Sequence, residues 1–203
     1  IIEARSTSSR LKRKHLFKFQ NKTLIEILIK RLKKLKKINR IILATTSNKE
    51  DDDLVKEAKK QKVLIFRGSE NDVLGRIIKT CKKFNVKNIC RITGDCPLID
   101  ISYIEILINN YLKNDLDYLS NGLSLPKGQG GSIFKFDALK KSKKLTQKKS
   151  KSYLEFITKG MLDNRNFFKT FILYHEEIKK KNVNTCVDTN QDLIFIDLIV
   201  NYI

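Results

Sequence analysis

RITGDCPLID, residues 91–100, is the stretch that decides the fold class of this chain. A run rich in β-branched residues, NICRIT, ends at Gly94, so Asp95 is expected at the carboxyl end of a buried strand, where ligands bind in open α/β sheets. Pro97 stops the strand, and Asp100 is placed to cap an amphipathic helix, ISYIEILINNYL. Two interpretations stay open: Asp95 faces a nucleotide site and holds a divalent metal, or it belongs to a simple Gly-Asp turn.

Strand and helix patterns alternate through the first half of the chain. Strands are predicted at IIEAR (1–5), RIILATT (40–46), KVLIF (62–66) and NICRIT (88–93). Helices are predicted within 22–35, 47–61 and 67–84, the first from its apolar stripe and the second from the Ser and acidic residues of its first turn. Such alternation with short connections is typical of a parallel sheet that helices cover on both faces.

The second half is less regular. Short strands are predicted at 117–121, 128–136, 167–174 and 183–188, and helices at 137–145, 150–162 and 190–203. At 203 residues the chain is expected to form one domain, 1–203, whose second half is less regular, as a substrate-side extension would be. It starts inside a strand pattern and stops inside a helix pattern, so we expect both termini to be truncated.

The net charge of +20 suggests a nucleic-acid or anionic-membrane partner. However, the chain has 33 Lys and only 9 Arg, whereas phosphate and base recognition favours the bidentate fork of Arg. The lysines also alternate with apolar residues at helical spacing, which indicates solvated helix faces. We therefore expect no nucleic-acid partner, although a basic surface would attract an anionic substrate.

Four cysteines, Cys81, Cys90, Cys96 and Cys186, form no CxxC pair and have no histidine at metal-ligand spacing. This pattern predicts buried thiols in a reducing compartment, and so a cytoplasmic protein. No apolar run approaches the ~18 residues of a spanning helix and no signal peptide is visible, so no membrane insertion is expected.

The first loop, EARSTSSRLKRKHL (3–16), lies between a predicted strand and a predicted helix. Hydroxyls, backbone N–H groups and cations converging on one loop are what a polyphosphate needs, although the loop has no glycine and is not a Walker loop. An exposed basic loop is the alternative. The residues concerned are Arg5, Ser6, Thr7, Ser8, Ser9, Arg10, Lys12, Arg13 and Lys14.

Two acids follow predicted strands at distant points of the chain. Asp95 comes after NICRIT, and Asp188 comes after NTCV. Two carboxylates at one sheet edge can hold Mg²⁺ against phosphate oxygens. Alternatively, Asp188 is only the cap of the following helix.

These motifs together carry a resemblance to a known family. IIEARSTSSRLKRKHL resembles the loop IIQARMGSTRLPGKVL, and ATTSNKEDDDLV, FRGSENDVLGR, RITGDCPLID, DYLSNGL and VDTNQDL follow in the same order and at similar spacing. The whole set is similar to the sugar cytidylyltransferases called spore coat polysaccharide biosynthesis proteins, relatives of the acylneuraminate and keto-deoxy-octulosonate cytidylyltransferases. The resemblance covers nearly the whole chain.

The resemblance implies a Rossmann-like, three-layer nucleotide-diphospho-sugar transferase fold with a mostly parallel central sheet. In that fold 1–113 would be the nucleotide-binding half and 114–203 the sugar-side and closing half. It also implies a homodimer that uses CTP and Mg²⁺ to activate a sugar acid with CMP, for surface polysaccharide or glycan synthesis. By position, it assigns the triphosphate to Arg5, Ser6, Ser9, Arg10 and Lys14, the nucleotide side to Arg67, Asp72 and Arg76, the metal to Asp95 and Asp188, and the sugar to Ser120 and Asn121. Arg5, Arg10, Lys14 and Asp95 are its catalytic set.

The chain departs from the family pattern on the phosphate and acceptor sides. In the first loop Thr7 replaces a glycine and Lys12-Arg13 replaces Pro-Gly, so we expect Thr7 to crowd the nucleotide. In the loop that resembles DGLDVEVF the departures are Lys127, Gly130 and Ser132, and Tyr153 replaces an expected histidine.

These departures leave three hypotheses open: an active transferase of altered sugar specificity, a nucleotide-binding protein of the same fold that has lost catalysis, and, from charge alone, a nucleic-acid binder. The chemistry needs no side-chain nucleophile, so His15 and His175 are expected to be structural or at the surface.

Overall fold

The computed structural model describes residues 1–122, 125–147, 149–174 and 183–201. Its centre is a seven-stranded sheet in the order β5-β4-β1-β6-β8-β7-β9. The strands are β1 (Ile2–Glu3), β4 (Ile42–Thr46), β5 (Leu64–Gly68), β6 (Asn88–Thr93), β7 (Tyr118–Ser120), β8 (Ser132–Lys135) and β9 (Thr170–Ile172), and a separate hairpin pairs β2 (Lys18–Phe19) with β3 (Lys22–Thr23). The hairpin was not predicted.

Strands β5, β4, β1 and β6 are parallel, with Ile2 opposite Leu43 on one side and Ile92 on the other. Strand β8 runs antiparallel to both β6 and β7, and β9 is parallel to β7. The prediction of a mostly parallel sheet is confirmed. The carboxyl ends of β1, β4, β5 and β6 consequently lie at one edge, and the loops that follow them carry the predicted site.

The main helices are α1 (Leu24–Leu32), α2 (Asp52–Lys60), α3 (Val73–Phe84), α4 (Ile101–Asn114), α5 (Phe136–Leu145), α6 (Ser152–Glu155), α7 (Lys159–Leu162) and α8 (Asn190–Asn201). Asp100 caps α4 as predicted, because its Oδ1 accepts a hydrogen bond from the Tyr103 N–H at 2.9 Å. Thr23 caps α1 in the same way through Glu26 N–H.

The helices form one layer on each face of the sheet. One hydrophobic cluster combines residues of α1, α2 and α4, and a second combines residues of α3 and α5. Adjacent residues of β4, Leu43 and Ala44, belong to different clusters, as do Ile133 and Phe134 of β8. Since successive side chains of a strand point to opposite faces, the two clusters cover opposite faces, and the predicted three-layer fold is confirmed.

Two predictions for the second half were wrong. The helix expected at 150–162 is split into α6 and α7, because the chain turns at Phe156, where φ is −90° and ψ is 82°. Residues 183–188 form no strand; their one sheet-like contact is an isolated bridge between Asn184 and Lys127. The segment instead bonds the loop at Lys127 and leads into α8. His175 lies outside the described residues.

Candidate active site at the carboxyl edge of the sheet

Asp95 and Asp188 meet at the ammonium group of Lys14. Lys14 Nζ donates hydrogen bonds to Asp95 Oδ2 at 2.8 Å, to Asp188 Oδ1 at 2.9 Å and to the carbonyl of Val187 at 2.8 Å. The backbone N–H of Val187 also donates to the Asp95 carbonyl at 2.9 Å. Residues from three distant parts of the chain are thereby brought to one point.

Two more cations surround Asp188. Arg10 donates to its Oδ1 and Lys127 donates to its Oδ2, both at 2.9 Å. Asp188 is buried, whereas the side chains of Arg10 and Lys127 are 64% and 59% exposed. Three cations therefore face two carboxylates, and two of these cations are free to turn toward an anion in the cleft.

The electrostatics keep this cluster ionised. Burial raises the pKa of Asp95, but the charge and hydrogen bond of Lys14 outweigh burial and bring the pKa down to about 2. Burial lowers the pKa of Lys14, but Asp95 and Asp188 outweigh it and the net shift is upward. The pKa of Asp188 is lowered in the same way, against burial, by Lys127 and Lys14. Asp95 is consequently an anion at neutral pH and a poor general base.

Asp51 fixes the start of the serine- and arginine-rich loop. This buried carboxylate accepts the backbone N–H of Ser6 at 2.6 Å and bonds the hydroxyls of Thr45 and Thr46 at the end of β4. The N–H of Arg13 donates back to the Ser6 carbonyl at 2.8 Å and closes the loop. Within it, Ser9 and Arg10 are exposed.

Glu70 holds the other side of this loop. Its carboxylate bonds the Thr7 hydroxyl, the Arg5 guanidinium at 3.4 Å and the amide of Asn48 at 2.6 Å. Thr7 adopts no positive φ, whereas Arg13, at the position of the family's second glycine, has a φ of 55°. The backbone conformation that favours glycine therefore occurs at Arg13 and not at Thr7. The expected crowding of the nucleotide by Thr7 stays a prediction.

His15 is buried next to the Asp95 loop. A Cβ at Gly94 would lie 2.5 Å from Ala4 Cβ and 3.1 Å from the His15 ring, so only glycine fits there. Burial lowers the pKa of His15 to about 4, and its Nδ1 has no hydrogen-bond partner among the described residues. His15 is therefore a neutral core residue, in agreement with the structural role expected of it.

The three residues predicted for the nucleotide side have structural partners in this state. Arg67 donates to the carbonyls of Thr46 and Asn48, and Asp72 caps α3 by accepting the Gly75 N–H at 2.7 Å. Arg76 is buried, and its guanidinium donates to the Ser69 carbonyl at 2.5 Å. All three shape the loop after β5, and their contact with a nucleotide stays a prediction.

A cavity of about 850 Å³ opens next to Thr93 and Cys96, beside β7 and β8. Ser120 and Asn121 line it, together with Gly130 and Ser132, and their contact with a sugar stays a prediction. Asn121 Oδ1 accepts the Gly131 N–H at 3.1 Å, and a Cβ on Gly130 would lie only 2.1 Å from that oxygen. The loss of the family's acid at position 130 thus leaves room for Asn121 to lie over the loop.

Basic residues also line this cavity: Lys127, Arg91 and Arg165. Arg91 Nε donates to Glu3 at 2.7 Å, and Lys127 is paired with Asp188. Arg165 has no carboxylate partner among the residues that the structure describes. The cavity therefore presents positive charge where the related sequence motif carries acids.

Four residues that contribute to the site were not predicted as part of it. Asp51 lies within the motif ATTSNKEDDDLV but was given no role, and Arg91 lies inside a strand pattern. Lys127 was identified only as a departure from the family. Asp192 accepts the backbone N–H groups of Asp188 and Thr189 at 2.9 and 2.8 Å, and the signal for it was its place in the first turn of α8.

The family model for cytidylyltransferases matches residues 1–193. The chain belongs to the cytidylyltransferase family. A similar relative of this cytidylyltransferase is an uncharacterised protein of Methanocaldococcus jannaschii, 40% identical over 200 residues, which cover 98% of this chain and 81% of that protein. The spore coat polysaccharide biosynthesis protein SpsF of Bacillus subtilis is 27% identical over 197 residues, covering 95% of this chain and 81% of that one.

Solved structures agree with this assignment. A cytidylyltransferase from Leptospira borgpetersenii superimposes with a TM-score of 0.93 at 29% identity, over 100% of this chain and 85% of that one. A CMP:2-keto-3-deoxy-manno-octonic acid synthetase complexed with CTP superimposes with a TM-score of 0.74 at 16% identity, over 99% and 97% of the two chains. The second likeness, at that identity, establishes the fold alone. The resemblance drawn from the sequence motifs is confirmed.

Proposed function

We propose that this cytidylyltransferase transfers CMP from CTP to a sugar acid, with release of pyrophosphate, for surface polysaccharide or glycan synthesis. The observation that carries the proposal is the cluster of Lys14, Asp95 and Asp188 beneath a loop rich in hydroxyls and arginines. It lies at the carboxyl edge of a parallel sheet, the usual place for a nucleotide in this class of fold.

The cations of the cluster suit a triphosphate. Arg10 is exposed and Lys14 follows it by four residues, while Ser9 and Arg5 lie on the same loop. A triphosphate entering the cleft would offer Arg10 and Lys127 a stronger anion than the single carboxylate that they share. Their departure from Asp188 would free its Oδ2 and leave its Oδ1 bonded to Lys14 as the nucleotide binds.

The donor chemistry of Asp95 and Asp188 fits Mg²⁺. Both are carboxylates, they come from separate segments, and both bond one cation, the Lys14 ammonium, in this structure. Bound there, Mg²⁺ would supply neutralisation of the α-phosphate charge. The chain's own contribution is to hold the two carboxylates at one point, through their bonds to Lys14, and to keep them ionised. The low pKa of Asp95 keeps that carboxylate ionised at neutral pH.

The transfer forms one bond and breaks one. A hydroxyl oxygen of the sugar acid bonds to the α-phosphorus of CTP, the bond from that phosphorus to the bridging oxygen breaks, and pyrophosphate leaves while the hydroxyl proton passes to water. Positioning and charge neutralisation do most of the work in such transfers. Arg5, Arg10 and Lys14 would stabilise the negative charge of the phosphates.

The acceptor cavity supports an acidic sugar. Lys127 and Arg165 line its wall, and Ser120 and Asn121 supply neutral polar groups suited to sugar hydroxyls. Arg165 has no carboxylate partner among the described residues, and Lys127 is exposed enough to turn from Asp188 toward a ligand. Cationic groups in such a cavity favour an anionic ligand over a neutral one. We infer a carboxylate-bearing acceptor from this charge.

The direct test measures pyrophosphate release by the full chain with CTP, Mg²⁺ and a panel of nonulosonic and octulosonic acids. We expect at least one acid to be activated, and CTP to be preferred over UTP, GTP and ATP. Silence across the panel, from protein whose melting temperature rises on addition of CTP, would contradict the proposal.

The metal carboxylates give a sharper test within that assay. Asp95→Asn and Asp188→Asn are each expected to lower kcat by about 100-fold or more, because a neutral amide is a poor Mg²⁺ ligand. Asp53→Asn is the matched control, since Asp53 is an aspartate at the surface whose ion-pair partners among the described residues are Arg13 and Lys56. Equal rates in Asp95→Asn and the parent would remove Asp95 from the reaction.

One observation favours a second candidate function, a nucleotide-binding protein that has lost catalysis. Lys127 stands where the family motif has an acid, and it neutralises the second oxygen of Asp188. If this ion pair persists with nucleotide bound, CTP would bind without turnover. Lys127→Asp separates the two cases: a gain of pyrophosphate release would identify Lys127 as the residue that blocks catalysis.

We also propose a homodimer in the cytoplasm, as for related enzymes. Phe171 on β9 and Ile194 and Leu198 on α8 are large apolar side chains that this single chain leaves more than half exposed. Light scattering on the purified protein tests the dimer directly.

None of the helices in the described part of the chain is long and apolar enough to cross a membrane.

A further inference from the structure

Two buried thiols lie directly behind the aspartates. Cys96 follows Asp95 in the chain, and Cys186 comes two residues before Asp188. Both are free thiols, only 4% and 6% exposed, and their Sγ atoms are 3.0 Å apart. The transfer reaction proposed above uses neither of them.

A carboxylate oxygen completes a group of three ligand atoms. Asp95 bonds Lys14 through Oδ2, while its Oδ1 lies 3.4 Å from Cys96 Sγ. The Oδ1 atom and the two Sγ atoms all lie within 4.8 Å of one another. The hydrogen bond from Val187 N–H to the Asp95 carbonyl ties the two segments that carry them. The group is therefore held in place by backbone as well as by side chains.

The thiol pair is reachable from outside. Cys96 and Cys186 both line the acceptor cavity of about 850 Å³, so an ion has an entry path and a water molecule has room to act as a fourth ligand. Zinc binds thiolate sulfur at about 2.3 Å and carboxylate oxygen at about 2.0–2.2 Å in tetrahedral geometry. To coordinate zinc in this geometry, the two sulfur atoms would have to move apart by less than about 1 Å.

We propose that Cys96, Cys186 and Asp95 form a site for one thiophilic divalent cation of the zinc class, which shares Asp95 with the proposed Mg²⁺ carboxylates and differs from them by its two thiolate ligands. Binding replaces the two S–H bonds by two metal–sulfur bonds and releases two protons to solvent. Mg²⁺ does not compete for the thiolates, because it prefers oxygen ligands. A bound thiophilic cation engages Asp95 and so opposes the use of Asp95 by Mg²⁺.

Cobalt reports on such a site without any turnover. Co²⁺ is added to the reduced full chain, and the thiolate-to-cobalt charge-transfer absorbance is recorded against the metal-to-protein ratio. We expect saturation at one equivalent and reversal by Zn²⁺, which binds such sites more tightly. The readout needs neither CTP nor a sugar acid, so it stands apart from the outcome of the transferase assay.

Variants assign the ligands. Cys96→Ser and Cys186→Ser are each expected to weaken Co²⁺ binding by about 100-fold or more, since removing even an outer-shell partner costs 10- to 100-fold. Cys90→Ser is the matched control, a half-buried cysteine on β6, and it is expected to leave the absorbance unchanged. Cys186→Ala, with a circular dichroism spectrum of each protein, separates loss of a ligand from loss of the fold.

Three outcomes would overturn the proposal. The first is that the reduced parent chain shows no charge-transfer absorbance with Co²⁺. The second is that the absorbance survives in both Cys186→Ser and Cys186→Ala. The third is that the free thiols of Cys96 and Cys186 are lost while no cobalt is bound. The last would show that the pair forms a disulfide instead, which requires the sulfur atoms to approach to about 2.05 Å.

Discussion

The two aspartates that meet at Lys14 are positioned by different means. Asp95 follows β6, whose backbone is paired with β1 on one side and β8 on the other. Asp188 follows a segment that forms no strand. Single backbone bonds such as Val187 N–H to the Asp95 carbonyl hold the segment, and the side chains of Lys127 and Asp192 hold Asp188 itself. A carboxylate placed by a sheet tolerates the loss of a neighbouring side chain better than one placed by a network of side chains, and the predictions below test this difference.

The largest effect is expected from Lys14→Met, which removes the link between the two segments. Breaking a buried ion pair by deleting one partner costs about 3–5 kcal/mol, because it leaves a charge buried without compensation. We expect a loss of about 3 kcal/mol in the free energy of unfolding, measured by urea denaturation at pH 7. Lys12→Met, an exposed lysine of the same loop, is the control and should change little.

A second substitution added to Lys14→Met distinguishes the two aspartates. Asp188 keeps Arg10 and Lys127, whereas Lys14 is the only cation bonded to Asp95 among the residues that the structure describes. Asp95→Asn should therefore restore more stability than Asp188→Asn in that background. Greater recovery with Asp188→Asn would mean that its surface cations do not compensate its charge.

The same contrast explains what the sequence could predict. The periodicity of NICRIT, the glycine after it and the cap at Asp100 are local signals, and the structure confirms the strand, the turn and the helix that they predict. The segment 183–188, VNTCVD, contains β-branched residues as a strand does, but among the described residues it joins no strand of the sheet and bonds Lys127 instead. Contacts between distant side chains, such as Lys127 with Asp188, leave no local pattern.

On the Asp95 side, His15 makes the fold sensitive to acid. Folding lowers the pKa of His15 from 6.5 to about 4, so the unfolded chain binds more protons in that interval and stability falls as the pH drops through it. The loss is at most about 3 kcal/mol between pH 6.5 and 4. Urea denaturation across this range should give a flatter profile for His15→Leu, and parallel profiles would show that His15 is not the group responsible.

On the Asp188 side, Asp192→Ala should cost about 1–2 kcal/mol. The substitution removes the acceptor of two backbone N–H groups at the start of α8, a loss comparable to that of a helix cap. It should also lower kcat, because Asp188 loses its support, whereas Asp197→Ala on the same helix should not. If stability falls while kcat is unchanged, Asp188 does not depend on this network.

The smallest effect is expected in the loop that supplies Lys14 to both aspartates. Arg13 has a φ of 55°, which costs a side-chain-bearing residue about 1–2 kcal/mol and glycine almost nothing. Arg13→Gly and Arg13→Ala both remove the exposed ion pair with Asp53, so the difference between them isolates the backbone. We expect the glycine variant to be about 1 kcal/mol more stable than the alanine variant, because this term exceeds the extra entropy of glycine in the unfolded chain. Equal stabilities would mean that the loop relaxes around position 13, and that Lys14 is held in place by the two carboxylates rather than by the turn before it.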